Sequence, residues 1–267
     1  MNRFELISEI KKKKSFLCIG LDIDIEKIPD NFKSYEYPIF EFNKNIIDTT
    51  HDLCVAYKPN TAFYESCGSQ GWISLERTAK YIHEKGNLFS IADAKRGDIS
   101  NTSRMYAKTF FENMDFDAIT VNPYMGHDSI TPFLDIKNKW TILLSLTSNP
   151  GSKDFQLQKI EDKYLYESIL HTTQKWGTKD NIMFVVGATH PEMLVNIRKI
   201  VPEHFLLVPG VGSQGGNLSE ISKFGMNTDC GILVNVSRNI IYAHEPRIEA
   251  QKIQTEMSSI LDQWFNS

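Results

Sequence analysis

Eight short apolar runs, separated by amphipathic stretches, constrain the fold of this chain more than any other feature of its sequence. The runs are almost continuously hydrophobic, which is typical of parallel strands that are buried on both faces. They occupy residues 16–22, 53–58, 88–95, 118–123, 141–147, 182–189, 205–210 and 231–238. Most of them end in polar or glycine-rich residues. The pattern therefore predicts eight parallel strands whose ends carry polar groups.

The stretches between these runs have the spacing of helices. Apolar residues recur at helical intervals in residues 37–50, 69–85, 99–114, 159–176 and 247–265, and Pro191 is placed to open a further helix. This regular alternation of strands and helices predicts an α/β protein, a single-domain (β/α)8 TIM barrel over residues 1–267 with a short N-terminal helix. A doubly wound parallel sheet is the alternative.

The composition is that of an ordinary globular protein. The chain has 267 residues, 41% of them hydrophobic, and a net charge of −4, which gives no reason to expect nucleic acid as a partner. The basic run at residues 11–14 is interpreted as the solvated end of the first helix. No apolar run approaches the roughly 18 residues of a membrane span, and no signal-peptide pattern is present. We expect a cytoplasmic protein that does not bind membranes.

The cysteines and histidines favour neither a disulfide framework nor a metal site. Cys18, Cys54 and Cys230 lie in or beside apolar runs, and no C-x-x-C pair occurs. The seven histidines include no H-x-x-x-H or H-E-x-x-H motif. We therefore expect a reducing compartment and no structural zinc.

The third apolar run ends in an unusual concentration of charge. Asp93, Lys95, Arg96 and Asp98 lie within six residues, where a buried strand should end. Ionised groups at such a place must be paired or must serve chemistry. Because residues 93 and 95 have the same parity, a regular strand would direct both side chains to one side. A purely structural ion-pair network that caps the barrel is the alternative.

In a (β/α)8 barrel, the C-terminal ends of the strands form the active site. The predicted strand ends bring together Asp22, Lys58, Asp93, Lys95, Asn122, Thr147, Thr189, Gly210 and Arg238. Four glycines in residues 210–216 allow backbone N–H groups to face an anion, and Gln214 and Arg238 could add donors. This pattern predicts a phosphate site, although an ordinary turn is the simpler alternative. The long polar segment 148–162 is either an active-site loop or a surface insertion.

The segment Asp93-Ala-Lys95-Arg-Gly-Asp98-Ile resembles the D-x-K-x-x-D signature of the orotidine 5′-phosphate decarboxylase family. The chain length and the Asn149-Pro-Gly151 loop are most similar to the longer bacterial branch of that family. Looser matches follow in the family's order along most of the chain, at Gly20-Leu-Asp22, Lys58-Pro-Asn, Val121-Asn-Pro, Leu146-Thr-Ser-Asn-Pro, Val185-Val-Gly-Ala-Thr, residues 209–216 and Val236-Ser-Arg238. The resemblance implies a (β/α)8 carboxy-lyase of pyrimidine biosynthesis. Such an enzyme converts orotidine 5′-monophosphate to UMP and CO2 with no metal or organic cofactor.

The resemblance also implies catalytic roles. Lys95 would protonate C6 of the pyrimidine, and Asp93 would lie near the substrate carboxylate. Asp98 and Thr102 would enter the site of the neighbouring subunit, so that a homodimer would share its active sites. Lys58 would complete the alternating array of lysines and aspartates.

The remaining candidates are implied to bind substrate. Asp22 and Lys58 would hold the ribose and Thr147 the pyrimidine, while the phosphate would be bound by Gln214, Gly215 and Arg238. Asn122 is a further substrate-binding candidate at the end of the fourth strand. Arg96 is expected to form a structural ion pair.

Three other functions remain open from the residues. A related barrel family acts on sugar phosphates with Mg²⁺, but here Lys58 occupies the end of the second strand. A Schiff-base aldolase would need an unprotonated Lys95, which the paired aspartates disfavour. A barrel that only senses a nucleotide phosphate would leave the charged array without a use.

Overall fold

The structure, a computed structural model, describes residues 1–188, 191–211 and 216–266. Within these residues the strands are β1 (Leu17–Leu21), β2 (Ala56–Pro59), β3 (Phe89–Arg96), β4 (Ala118–Val121), β5 (Trp140–Leu146), β6 (Lys159–Ile160), β7 (Lys163–Tyr164), β8 (Ile182–Val186), β9 (Phe205–Pro209) and β10 (Ile232–Val236). Eight of them close a parallel barrel in the order β1-β10-β9-β8-β5-β4-β3-β2. The predicted (β/α)8 barrel is confirmed, and the doubly wound sheet is wrong.

Helices surround this barrel. They are α1 (Arg3–Lys13), α2 (Asp30–Lys33), α3 (Pro38–Thr50), α4 (Thr61–Glu65), α5 (Gly68–Glu84), α6 (Ser100–Ala107), α7 (His127–Leu134), α8 (Ser152–Phe155), α9 (Leu165–Thr173), α10 (Pro191–Ile200), α11 (Leu218–Gly225), α12 (Arg238–Ile241) and α13 (Pro246–Phe265). A π-helical turn, Lys108–Asn113, continues α6, and a 3₁₀ turn, Pro123–Met125, precedes α7. In the part of the chain that the structure describes, no helix is long and apolar enough to cross a membrane.

The strands are buried on both faces, as their continuous hydrophobicity predicts. Every residue of β1, β2, β4, β8 and β10 is buried. Aromatic side chains fill the N-terminal end of the barrel, where the ring of Trp140 packs edge-on against those of Phe89 and Phe205 at centroid distances of 6.0 and 6.3 Å. Edge-to-face packing of this kind adds to the free energy of apolar burial. The N-terminal end is therefore solid core, and the C-terminal end remains available for a site.

Helix α1 covers the N-terminal end of the barrel. It begins with a capping box in which Asn2 and Glu5 bond each other's backbone N–H groups. Leu6 and Ile10 are fully buried. The basic run ends the helix as predicted, but Lys13 is not solvated, because its Nζ donates to the carbonyl oxygens of His51 and Cys54.

Two predicted helices differ in the structure. Residues 159–164 form the β6–β7 hairpin, with Glu161 at a positive φ in its turn, so that α9 begins only at Leu165. The helix predicted over residues 99–114 changes to a π-helical turn after Ala107, which buries the consecutive Phe110 and Phe111. Met105, one of the apolar residues at helical spacing in this stretch, is 49% exposed.

Candidate active site

A row of alternating charges lies across the C-terminal end of the barrel, where β1, β2 and β3 end. The Lys58 ammonium donates to Asp93 Oδ2 at 2.6 Å, and the Lys95 ammonium donates to Asp93 Oδ1 at 2.6 Å. Asp22 Oδ1 lies 4.0 Å from Lys58 Nζ. The structure thus brings four of the predicted site residues together in the order Asp22, Lys58, Asp93, Lys95.

The centre of this row is buried and ionised. Lys58 is 4% exposed and Asp93 is 9% exposed. Burial alone would raise the pKa of Asp93, but the ammonium groups of Lys58 and Lys95 outweigh it and hold that pKa well below its ordinary value. Burial would likewise lower the pKa of Lys58, but the carboxylates of Asp93 and Asp22 outweigh it, and that pKa is raised. Both side chains are therefore charged at neutral pH.

Lys95 reaches Asp93 by a route that parity did not predict. The pairing of β3 with β4 shifts register between Ala92 and Arg96, and Lys95 has a φ of +47°. The two side chains meet because the strand bulges at Lys95. The Asp93 and Lys95 side chains thus lie on one side, as predicted, but because of the bulge and not because of strand parity.

Thr120 of β4 is a site residue that sequence analysis missed. Its hydroxyl accepts the backbone N–H of Lys95 at 2.9 Å and donates to Asp93 Oδ1 at 3.0 Å. Thr120 is 1% exposed. A threonine inside an apolar strand carries no signal of such a contact, since threonine is a common strand residue.

The residues that follow Lys95 hold the end of β3 in place. Arg96 forms the expected ion pair, with Glu65 of α4, and also donates to the Ala94 carbonyl at 2.9 Å. A Cβ on Gly97 would lie 2.8 Å from the carbonyl oxygen of Asn122, so only glycine fits there without displacement. The basic and glycine positions of the motif therefore serve local structure.

Asp98 and Thr102 lie apart from the charged row of their own chain. The Asp98 carboxylate accepts the backbone N–H of Ile99 at 2.7 Å, and the Asp98 N–H donates to Ser103 Oγ at 3.1 Å. Among the residues that the structure describes, Asp98 forms no ion pair with Lys58 or Lys95. Thr102 is exposed on α6.

Thr147 lies at the end of β5, where the segment 148–162 folds back onto it. Its backbone N–H donates to Gln156 Oε1 at 2.7 Å, and Gln156 Nε2 donates to Thr147 Oγ1 at 2.9 Å. Thr147 Oγ1 also lies 2.6 Å from Asn149 Oδ1. Gln156 is a second neighbour of the site that sequence analysis missed. Asn122 is exposed, and its side chain caps the following turn by accepting the Tyr124 N–H at 3.0 Å.

The predicted phosphate site lies partly outside the described residues. Gln214 and Gly215 fall there, as does Thr189, which the sequence places at the end of the sixth apolar run. The flanks of the glycine-rich segment are described, and Val211 pairs with Gly216. Strands β9 and β10 are neighbours, and Arg238 is the exposed first residue of the helix that follows β10. Val211 and Arg238 therefore follow neighbouring strands of the barrel.

Lys58 also determines what the carboxylates of Asp22 and Asp93 can bind. Its Nζ lies between Asp22 and Asp93, where a cation that bridged these carboxylates would have to sit. In residues 1–188, 191–211 and 216–266, no three His, Cys, Asp or Glu side chains are placed to hold a metal ion.

A closed (β/α)8 barrel with an ionised lysine–aspartate row at its C-terminal end defines a barrel enzyme whose chemistry rests on charged side chains. The profile of the "Orotidine 5'-phosphate decarboxylase / HUMPS family" matches residues 15–253. The chain belongs to this family.

Individual relatives agree with the family match. The chain is 56% identical over 272 residues to the orotidine 5′-phosphate decarboxylase of Phocaeicola vulgatus, covering 98% of this chain and 100% of the relative. It is similar to the solved structure of Leishmania donovani OMP decarboxylase, with 36% identity, a TM-score of 0.87 and coverage of 97% and 99% of the two chains. It also matches Leishmania donovani UMP synthase, with 37% identity, a TM-score of 0.88 and coverage of 97% of this chain, but it spans only 56% of that longer protein.

Proposed function

We propose that this protein is an orotidine 5′-phosphate decarboxylase that converts orotidine 5′-monophosphate to uridine 5′-monophosphate and CO2 with no metal or organic cofactor. The observation that carries the proposal is the contact of one buried carboxylate, Asp93, with two ammonium groups, Lys58 and Lys95, at 2.6 Å each. The 56% identity to a relative of that name supports the same reaction.

Lys95 is the proton donor in this proposal. Breaking the bond between C6 and the carboxylate releases CO2 and leaves an electron pair on C6, which the pyrimidine ring delocalises poorly. An ammonium held beside C6 stabilises that charge and then transfers a proton to it. Lys95 suits this task because its side chain is 51% exposed at the open end of the barrel while Asp93 anchors it. Solvent reprotonates the amine after each turnover.

Asp93 has two tasks in the mechanism. It fixes the Lys95 ammonium, and it lies near the carboxylate that the substrate loses. Since the pKa of Asp93 is held low, its charge persists when the substrate carboxylate approaches, and the repulsion is relieved as CO2 leaves.

The sugar and phosphate are bound around this centre. Asp22 Oδ1 is buried and accepts no hydrogen bond from the described residues, which suits an acceptor for a ribose hydroxyl beside Lys58. Arg238, Gln214 and Gly215 bind the phosphate in this proposal. Binding of a remote phosphate supplies free energy that can be used at the reacting carbon.

The segment 148–162 acts as an active-site loop. It begins after Thr147, which is assigned to the pyrimidine, and it returns to Thr147 through Gln156. Closure of such a segment over the ring would exclude water from the charged row. Asn122 lies on the same rim and contacts substrate in this assignment.

The active site is shared across a homodimer. Asp98 and Thr102 stand on the rim without a partner in their own charged row, which suits residues that enter a neighbouring site. Large apolar side chains are exposed next to Asp98 and in the turn that follows β4, with Ile99 58% exposed and Tyr124 86% exposed. Exposed apolar side chains of this size suit a protein interface. The four free cysteines, three of them buried, suit the reducing cytoplasm.

One assay tests the reaction. Purified protein with orotidine 5′-monophosphate and EDTA should remove the ultraviolet absorbance of the substrate. Absence of turnover would refute the proposal, and turnover that requires added Mg²⁺ would favour the sugar-phosphate branch of the family.

A mixing experiment tests the shared site. Lys95→Ala and Asp98→Ala proteins should each be inactive, because each lacks one member of every site. Mixed dimers regain one intact site, so we expect up to about one quarter of wild-type activity after random reassortment. Lack of rescue in a preparation that contains mixed dimers would contradict the shared site.

A further inference from the structure

One buried hydroxyl lies where β3 and β4 lose their regular pairing. Ala92 pairs with Ile119 and Arg96 pairs with Val121, so residues 93–95 of β3 stand opposite Thr120 alone. The backbone of β4 has too few groups to pair with this bulge. The Thr120 side chain supplies the missing contact, because Oγ1 accepts the Lys95 N–H at 2.9 Å.

The same hydroxyl also contacts the other end of the bulge. Its proton goes to Asp93 Oδ1 at 3.0 Å, the oxygen that receives the Lys95 ammonium at 2.6 Å. Thr120 therefore closes a ring of three hydrogen bonds that includes the backbone and the side chain of Lys95. Lys95 has a φ of +47°, which is unfavourable for a residue with a Cβ and persists only where the surroundings hold it.

We propose that Thr120 is a positioning residue for Lys95. The Thr120 hydroxyl holds both the Lys95 backbone and the Asp93 carboxylate, so that the Lys95 ammonium stays directed at the reacting carbon. The catalytic consequence rests on the proposed decarboxylation. The hydrogen bond between Thr120 and the Lys95 backbone is independent of that reaction and can be measured separately.

The role requires a hydroxyl and not merely a side chain of this shape. Valine has nearly the shape of threonine but can neither accept the Lys95 N–H nor donate to Asp93. Serine keeps both hydrogen bonds. Thr141 of β5 provides a matched control, because it is fully buried and its Oγ1 has no hydrogen-bond partner among the described residues.

Steady-state decarboxylation by Thr120→Val, Thr120→Ser and Thr141→Val tests the proposal. Thr120→Val should lower kcat by about 10–100-fold and change KM by less than about 3-fold, since a small displacement of the reacting group costs that much. Thr120→Ser should remain within about 3-fold of wild type, and Thr141→Val should be unchanged. The proposal is overturned if Thr120→Val keeps its kcat, if serine does not rescue the loss, or if Thr141→Val loses as much.

The hydrogen-exchange rate of the Lys95 amide tests the same hydrogen bond without relying on catalytic activity. In the whole protein, the Lys95 amide should exchange about 5–10-fold faster in Thr120→Val than in wild type, and no faster in Thr141→Val. Unchanged exchange would refute the hold on Lys95. If wild type does not decarboxylate the nucleotide, the proposed function fails while this measurement still decides on Thr120. Thr120→Ala gives the same comparison if the valine variant does not fold.

Discussion

The two ends of the barrel both carry buried charge, but they use it differently. At the N-terminal end, the Arg198 guanidinium donates to four backbone carbonyls, those of Val201, His204, Gly225 and Gly231. Arg3 donates there to the carbonyls of Lys179 and Glu203, and its one strong side-chain partner among the described residues, Asp229 at 3.0 Å, is 40% exposed. At the C-terminal end, Lys58 and Lys95 donate to a side chain, that of Asp93.

The hydrogen-bond acceptors of these cations explain why the two ends of the barrel have different roles. Backbone carbonyls of packed loops cannot leave an arginine unless the loops open, so the N-terminal charges connect segments and stabilise the fold. A lysine bound to one carboxylate retains donors for a ligand, and Lys95 uses one of its three in this structure. Substitutions at the two ends should therefore affect different measurements, stability at one end and turnover at the other.

The largest effect is expected for Lys95→Ala. Removing the ammonium should lower kcat by about 10³–10⁴-fold, because both the stabilisation of the C6 charge and the proton donor are lost. The free energy of unfolding should change by less than about 1 kcal/mol, since the side chain is half exposed. UMP binding, measured by calorimetry, should survive. A variant that decarboxylates at the wild-type rate would remove Lys95 from its role.

Arg198→Met should lower stability and leave turnover almost unchanged, the opposite of what is expected for Lys95→Ala. Four carbonyls lose their charged donor, which should lower the free energy of unfolding by about 4 kcal/mol, measured by urea denaturation. The kcat of the folded fraction should stay within about 2-fold of wild type. Arg247→Met is the control, because Arg247 is half exposed and pairs with exposed Asp52, and its loss should cost less than about 1 kcal/mol. Equal losses in both variants would contradict the distinction.

His204 makes the N-terminal end sensitive to acid. Burial, reinforced by Arg3 and Arg198, lowers the pKa of His204 to about 4, and neither ring nitrogen has a hydrogen-bond partner among the described residues. Between pH 6.5 and 4 the unfolded chain therefore binds a proton that the folded chain does not. The free energy of unfolding should fall across that window by about 3 kcal/mol in total from this group.

His204→Phe tests this dependence. The ring already packs against Phe184 at a centroid distance of 5.4 Å, so an apolar ring suits its surroundings. The variant should lose the His204 part of the pH dependence between pH 6.5 and 4, whereas His244→Phe, at a fully exposed histidine, should keep it. An unchanged slope in His204→Phe would refute the assignment.

The regular parts of this molecule were predictable and the irregular parts were not. Strand runs and their polar ends predicted the barrel and placed Asp22, Lys58, Asp93 and Lys95 on one rim, because parallel strands all end on the same side. The same pattern predicted the Lys13 region as solvated, although two distant carbonyls bind that side chain.

The errors have a common physical cause. The bulge at Lys95 depends on how β3 pairs with β4, and the partner of Arg96 lies 31 positions away at Glu65. Periodicity reports the face of a residue within its own element. It carries no information about register between elements, which is why Thr120 and Gln156 were missed.

Gln156→Leu is the mildest test at the C-terminal end. The substitution removes the three hydrogen bonds between Gln156 and Thr147, at 2.7, 2.9 and 3.2 Å, and leaves the charged row intact. If Thr147 binds the pyrimidine, KM should rise by about 5–10-fold, which corresponds to about 1 kcal/mol, while kcat falls by less than about 3-fold. Gln158→Leu is the matched control, because Gln158 lies in the same segment and donates to the Lys153 carbonyl instead. A larger fall in kcat than rise in KM would mean that the segment acts on the reacting carbon through Lys95 and not on the bound ring through Thr147.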